Sequence, residues 1–199
     1  MALELKRRGH FVCIASTPFY RGRVEELGLG FRPLRPDWNP QDREMVALCE
    51  DMRRGPEVLF RRIVLPHLQD TYNDLLAAAD GMEMMIAGEM VFAAPLVAEK
   101  LGLRWASAIL SPCSFFSVHD PPVVPPVPEL GYLRGAGPGF HRILLRVTRV
   151  AIDHWWKPIR QLRKEEGLGP GDNPVLTDKF SPELVLAMFS RALALPQPD

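Results

Sequence analysis

Cysteine is scarce, with Cys13, Cys49 and Cys113 the only three in 199 residues and no Cys-x-x-Cys pair among them. That spacing offers neither a disulfide framework nor a cysteine-built zinc site, and it reads as reduced thiols in a cytoplasmic protein. Net charge is missing too, because 24 basic side chains meet 24 acidic ones. A neutral chain has no global attraction for nucleic acid or an acidic polymer, so charge-driven binding has to be local. No apolar run approaches the roughly eighteen residues of a membrane span, and the first residues are charged and amphipathic where a secretory signal would be apolar. Gly-x-Ser-x-Gly, a phosphate loop and a complete Gly-x-Gly-x-x-Gly are all lacking. The run Gly135-Ala136-Gly137-Pro138-Gly139 has no strand before it and reads as a hinge.

What remains is an α/β pattern. A 47% hydrophobic chain of this length can bury one substantial core, consistent with a single domain. Short apolar runs alternate with helical spacing, the order expected of a parallel sheet with helices on both faces. Strands are predicted at 11–16, 31–34, 83–88, 105–110 and 184–190, each closed by Pro, Gly or Ser. Helical spacing covers 21–29, 41–54, 56–79 and 92–101, with Gly102 as a helix stop.

Three segments stand out. Asp120 to Pro128 holds prolines at 121, 122, 125, 126 and 128, so many φ angles are preset and backbone donors are lost. It reads as a semi-rigid loop that walls a pocket, as a plain surface connector, or as a proline-rich ligand for another domain. The preceding loop, Ser111 to Asp120, follows a strand and mixes Phe115 and Phe116 with hydroxyls, His119 and Asp120. Apolar walls with a few polar groups suit a small molecule, and aromatic plugs over a sheet end are the alternative. The third segment, 140–164, has an apolar stripe of Phe140, Leu144, Val147, Ala151, Trp155, Ile159 and Leu162 beside recurring arginines and lysines. It is either a helix packed on the sheet and kinked at Pro158 or a basic amphipathic helix lying on anionic lipid.

The stretch Ala2-Leu3-Glu4-Leu5-Lys6-Arg7-Arg8-Gly9-His10, its apolar strand, Ala-Ser-Thr-Pro and then Arg-Val-Glu-Glu-Leu-Gly-Leu-Gly-Phe-Arg-Pro-Leu resembles the acceptor-binding half of GT-B glycosyltransferases. Bacterial macrolide-type and sterol-type enzymes are the nearest in pattern. Ala87 to Trp105 is similar to the family's strand, loop, helix and Leu-Gly-hydrophobic triplet, with Arg104 where proline is usual. The resemblance implies a Rossmann-like, acceptor-binding half of a GT-B fold over 1–190, with 191–199 as the start of the interdomain linker and with the first strand and the donor-binding C-terminal domain outside this chain. It implies transfer of a hexose from UDP-sugar or TDP-sugar to a hydroxyl of a small apolar acceptor, such as a lipid, sterol, macrolide or other natural product. No metal and no resident cofactor are expected, and this piece is expected to be inactive alone.

Family loops that face the cleft map onto Phe19, Met90, Phe92, Ser111, Phe115, Phe116, His119 and Asp120 as acceptor-binding residues. The usual catalytic base sits in the turn after the absent strand, and its carboxylate partner follows the strand that here ends near Gly88. Glu89 is the nearest acidic residue and the candidate carried over, an exposed loop glutamate being the alternative. His10, His67, His141 and His154 show no ligand spacing and read as surface or core. A binding module acting in trans with a donor-binding partner, a peripheral adaptor at the inner membrane face, and a truncated reading frame are the rival readings.

Overall fold

The computed structural model describes residues 1–51, 53–123 and 127–199, in two compact units, Met1–Gly81 and Met82–Asp199. The middle of the proline-rich segment, 124–126, lies outside the described residues.

In the first unit α1 (Ala2–Arg7) leads to β1 (Cys13–Ser16), α2 (Arg21–Glu26) and β2 (Gly30–Pro33). The two strands pair in parallel with Cys13 opposite Gly30 and Ser16 opposite Pro33. Val24, Leu29 and Phe31 form the core beneath them, with Ala2, Val12 and Ile14 packed against it. Lys6 ties the start of the unit to this crossover by donating to the carbonyls of Leu27 and Gly28 at 3.1 and 2.9 Å. Asp42 caps α3 (Arg43–Glu50) by accepting from the amides of Glu44 and Met45 at 3.1 Å, the ordinary role of aspartate at a helix start.

The continuous helix expected over 56–79 is instead broken. α4 (Gly55–Val58) widens into a π-helical turn at Leu59–Val64 and tightens into a 3-10 turn at Leu65–His67 before α5 (Leu68–Ala79) resumes. Pro66 is the physical reason, since it has no N–H to continue the ladder and its ring crowds the preceding turn. α5 then buries Leu68, Tyr72, Leu75 and Ala79, one face at helical spacing.

The second unit holds three parallel strands in the order β3 (Met84–Gly88), β4 (Arg104–Ile109) and β5 (Val185–Ala187). All five predicted strands are present within a few residues, and helices flank the parallel pairs as expected. α6 (Ala94–Leu101) joins β3 to β4 and buries Ala94, Leu96, Val97 and Ala98. It ends where Gly102 takes φ 58° and Leu103 donates to the Ala98 carbonyl at 2.9 Å, a left-handed cap that glycine accepts without a Cβ clash.

The predicted 140–164 helix is two helices. α7 (Pro138–Ile152) and α8 (Lys157–Glu165) are separated by a 3-10 turn at Asp153–Trp156, with Pro158 in the first turn of α8. The buried row stays in phase across the turn, His141, Leu145, Thr148, Ile152, Trp156 and Ile159 following at steps of three or four, and the expected stripe lies one residue off it at Phe140, Val147 and Ala151. Phe140 and Val147 are exposed, and the inner face of α7 carries buried His141 with half-buried Leu144, Leu145, Thr148 and Ile152. Beyond the turn Trp156, Ile159 and Leu162 are buried. Buried Arg163 of α8 pairs with Glu99 of α6 and donates to the Gly169 carbonyl at 2.6 Å, which locks the two helices together.

Trp156 is 1% exposed and packs its ring 5.7 Å from that of Phe92. Trp156→Ala is expected to cost about 3–5 kcal/mol through lost burial and the cavity left behind. Urea unfolding followed by far-ultraviolet circular dichroism checks it.

Candidate functional site

In open parallel sheets, ligands gather beyond the carboxyl ends of the strands. In the second unit those ends deliver Glu89 after β3, Ser111 to Phe116 after β4, and Met188 and Phe189 after β5. The strand ends are held in step. Met188 donates its amide to the Ile109 carbonyl at 2.8 Å, continuing the β4 to β5 pairing past the strand, and Val91 donates to Gly88 at 3.0 Å to turn the chain after β3.

A residue singled out by no sequence pattern lies at the centre. Lys179 is 6% exposed, and its ammonium donates to the Ser114 carbonyl at 2.6 Å and reaches Glu89 Oε2 at 3.5 Å. The same nitrogen stands 5.1 Å from the ring centre of Phe116 and 5.0 Å from that of Phe180, so two aromatic faces complete its cage. Asn173 sets up this delivery. Its side chain accepts from the amides of Val175 and Leu176 at 3.1 and 3.0 Å and starts the π-helical turn Pro174–Asp178 that ends at Lys179. The amide of Asp172 then binds both oxygens of Asp178 at 3.0 and 2.9 Å, closing the loop on itself.

Beside the lysine lies an aromatic cluster. Phe115 stacks on Phe180 at 5.5 Å with 23° between the planes and meets Phe189 edge-on at 6.0 Å. Phe115 is nevertheless open to solvent on one side, as are Met90 and Met188. Phe116 has φ 52° and ψ 38°, the left-handed region that a bulky side chain enters only under constraint. That turn sends consecutive rings two ways, Phe115 to the aromatic cluster and Phe116 to the ammonium. Strain of this kind clusters where a binding surface is fixed in advance.

The other expected residues divide. Ser111 Oγ and Cys113 Sγ lie 3.0 Å apart in the same loop. Glu89 is not the exposed loop glutamate of the alternative reading: its side chain is 16% exposed, drawn in by Lys179. Phe92 is a buried core ring against Trp156 and presents no open face. His119 and Asp120 are exposed, Asp120 is bound by Arg134, and no hydrogen bond or ion pair among the described residues links either to Lys179 or Glu89. Phe19 belongs to the first unit, half-exposed in the 3-10 turn Pro18–Tyr20 with its ring edge-on to Tyr20 at 5.0 Å. His141 is a core residue. Its two ring nitrogens lie 2.9 Å from the carbonyls of Val118 and Leu133, joining α7 to the chain on either side of the proline-rich segment. Among the described residues no group of three or more His, Cys, Asp or Glu side chains could hold a metal ion.

No family model and no curated protein matches the chain. Solved structures do. The fold is similar to that of the glycosyltransferase of kitacinnamycin, with a TM-score of 0.56 at 18% identity over 100% of this chain and 42% of that one. The Streptomyces sp. SF2575 glycosyltransferase SsfS6 gives 0.49 at 16% identity, covering 88% of this chain and 43% of that one. Spinosyn forosaminyltransferase SpnP gives 0.43 at 21%, covering 58% and 28%. The chain thus spans less than half the length of these proteins, and it has the α/β fold found in part of a glycosyltransferase.

Burial holds the Lys179 ammonium below the ordinary lysine range, against the opposing charge and hydrogen bond of Glu89. Between that lowered value and the usual one of about 10.4, the unfolded chain binds more protons than the folded chain, so stability rises with pH through this window. Lys179→Met is expected to abolish the alkaline rise, as read by urea midpoints at stepped pH. A rise that survives the substitution would assign it to another group.

Proposed function

We propose that this chain is the acceptor-recognising half of a glycosyltransferase that moves a hexose from a nucleoside-diphosphate sugar, UDP- or TDP-linked, to a hydroxyl of a small apolar molecule. The observation that carries the reading is the aromatic and cationic cluster at the carboxyl ends of β3, β4 and β5, in a fold shared with the glycosyltransferase of kitacinnamycin. A partly open platform of Phe115, Met90 and Met188 offers an apolar acceptor a face to lie on. Ser111, His119 and Asp120 supply polar contacts at its margin, and a donor-binding half contributed by further polypeptide brings the sugar. Phe92 supports the platform from the core.

In this reading Glu89 is the carboxylate that assists the general base, which takes the proton of the acceptor hydroxyl as its oxygen attacks the anomeric carbon and the nucleoside diphosphate departs. Lys179 acts through Glu89, holding the carboxylate in place from its aromatic cage. The reaction belongs in the cytoplasm, where nucleotide sugars are available to an enzyme with reduced thiols.

Acceptor binding comes first in the test, because this half is expected to bind without turning over. Calorimetric titration with a macrolactone and with a sterol should detect one of the two classes, and Phe115→Ala should weaken it about tenfold, the effect of roughly 1.4 kcal/mol. Binding of neither class would end the proposal. When the donor-binding half is supplied, Glu89→Gln should lower kcat by about a hundredfold while leaving acceptor affinity within twofold, roughly the lower range for impaired general-base catalysis. An unchanged kcat would remove Glu89 from the chemistry.

A further inference from the structure

The outer side of α7 carries a second surface, remote in character from the acceptor platform. Successive residues of an α-helix turn by about 100°, which puts Phe140, Ile143, Val147 and Val150 in one row along the helix. They are 40, 60, 61 and 76% exposed, although all four are apolar. Arg142, Arg146 and Arg149 form the adjacent row, and the third side of the helix faces inward through His141 and Leu145.

Charge is segregated here. Residues 138–164 hold seven arginines and lysines against Asp153 as the single acid, in a chain with no net charge. Partners account for three of the seven: Asp172 for Arg149, Asp153 for Arg160 and Glu99 for Arg163. Among the described residues Arg142, Arg146, Lys157 and Lys164 have no ion pair. Lys157, Arg160 and Lys164 line an open groove of about 510 Å³ along α8 with Pro158 and Gln161.

We propose that α7 lies flat on an anionic lipid bilayer, with the Phe140 to Val150 row in the acyl boundary and Arg142 and Arg146 on lipid phosphates. A bilayer matches both rows at once, because it sets a sheet of negative charge directly above an apolar layer. A second copy of the chain suits the surface poorly. A two-fold contact along α7 would set the unpaired arginines of one copy near those of the other. No helix among the described residues is long and apolar enough to cross a membrane, so the contact is peripheral.

Cosedimentation with vesicles tests it, using pure phosphatidylcholine and an equal mixture of phosphatidylcholine and phosphatidylglycerol. The chain should bind the mixed vesicles, ignore the neutral ones and release as salt shortens the screening length. The double variant Arg142→Gln with Arg146→Gln should bind about thirtyfold more weakly, the effect of two surface charges. Ile143→Ser with Val147→Ser should lose the binding that resists salt. All four positions are exposed, and far-ultraviolet circular dichroism confirms that the variants fold. Equal affinity for the two vesicle types, no binding to either, or arginine variants that bind as well as the parent would overturn the proposal. Concentration-dependent dimers that Ile143→Ser with Val147→Ser dissolves without lipid would assign the surface to a second copy instead.

Discussion

The second unit depends on one strand being paired on both edges and covered on both faces. β4 hydrogen-bonds β3 on one side and β5 on the other, and Trp105, Ala106 and Ser107 are buried in succession. A strand covered on both faces has no alternation of apolar and polar residues, and its polar groups must be answered internally. Ser107 meets this by accepting from the Ser181 amide at 2.8 Å, while Ser181 donates its hydroxyl to the Trp105 carbonyl at 2.7 Å. That pair pins the segment after Lys179 to the middle of the sheet. The position of the lysine therefore follows from the satisfaction of a buried serine on the adjacent strand.

Burying an ammonium is unfavourable in itself, and the surroundings of Lys179 show how the cost is offset. A carbonyl, a carboxylate and two ring faces surround the nitrogen, and each supplies partial or full negative charge at close range. None of these alone matches the hydration lost, which is why the group stays below the ordinary lysine range. The left-handed turn at Phe116 belongs to the same balance. It sets the Phe116 ring against the ammonium, while Phe115 packs on Phe180 and Phe189.

Much of the fold was legible because strand signals here are local. Runs such as Phe11 to Ser16 and Met84 to Gly88 carry their own apolar content and their own stop, so their placement needs no tertiary knowledge. Helices were harder wherever a break fell inside an unbroken pattern. Pro66 advertises its effect, but nothing in Asp153-His154-Trp155-Trp156 marks a 3-10 turn, and α7 carries two apolar rows, so the pattern alone favoured Phe140 and Val147 over the inward row of Leu145, Thr148 and Ile152. The candidate site was half visible. Phe115, Phe116 and Glu89 follow strands and could be suspected on that ground, whereas Lys179 sits in a loop ninety positions from Glu89 and meets it only through the parallel pairing of three strands. Its one local signal is Asn173-Pro174, a cap and first-turn proline that announce a short helix but not what the helix delivers.

The two proposals meet in the chemistry of an apolar acceptor. A molecule able to lie on Phe115 and Met90 also partitions from water into a bilayer, for the same reason of apolar surface removed from water. An enzyme half held at the bilayer by α7 would encounter that molecule at its concentration in the membrane, which exceeds its concentration in solution. Two weak attractions then act as one, as in any pair of linked binding events. Neutral net charge is part of this arrangement. A chain with a large positive charge would hold every anionic surface indiscriminately, whereas here Arg142 and Arg146 present positive charge along one helix beside the apolar row that the proposal sets in lipid.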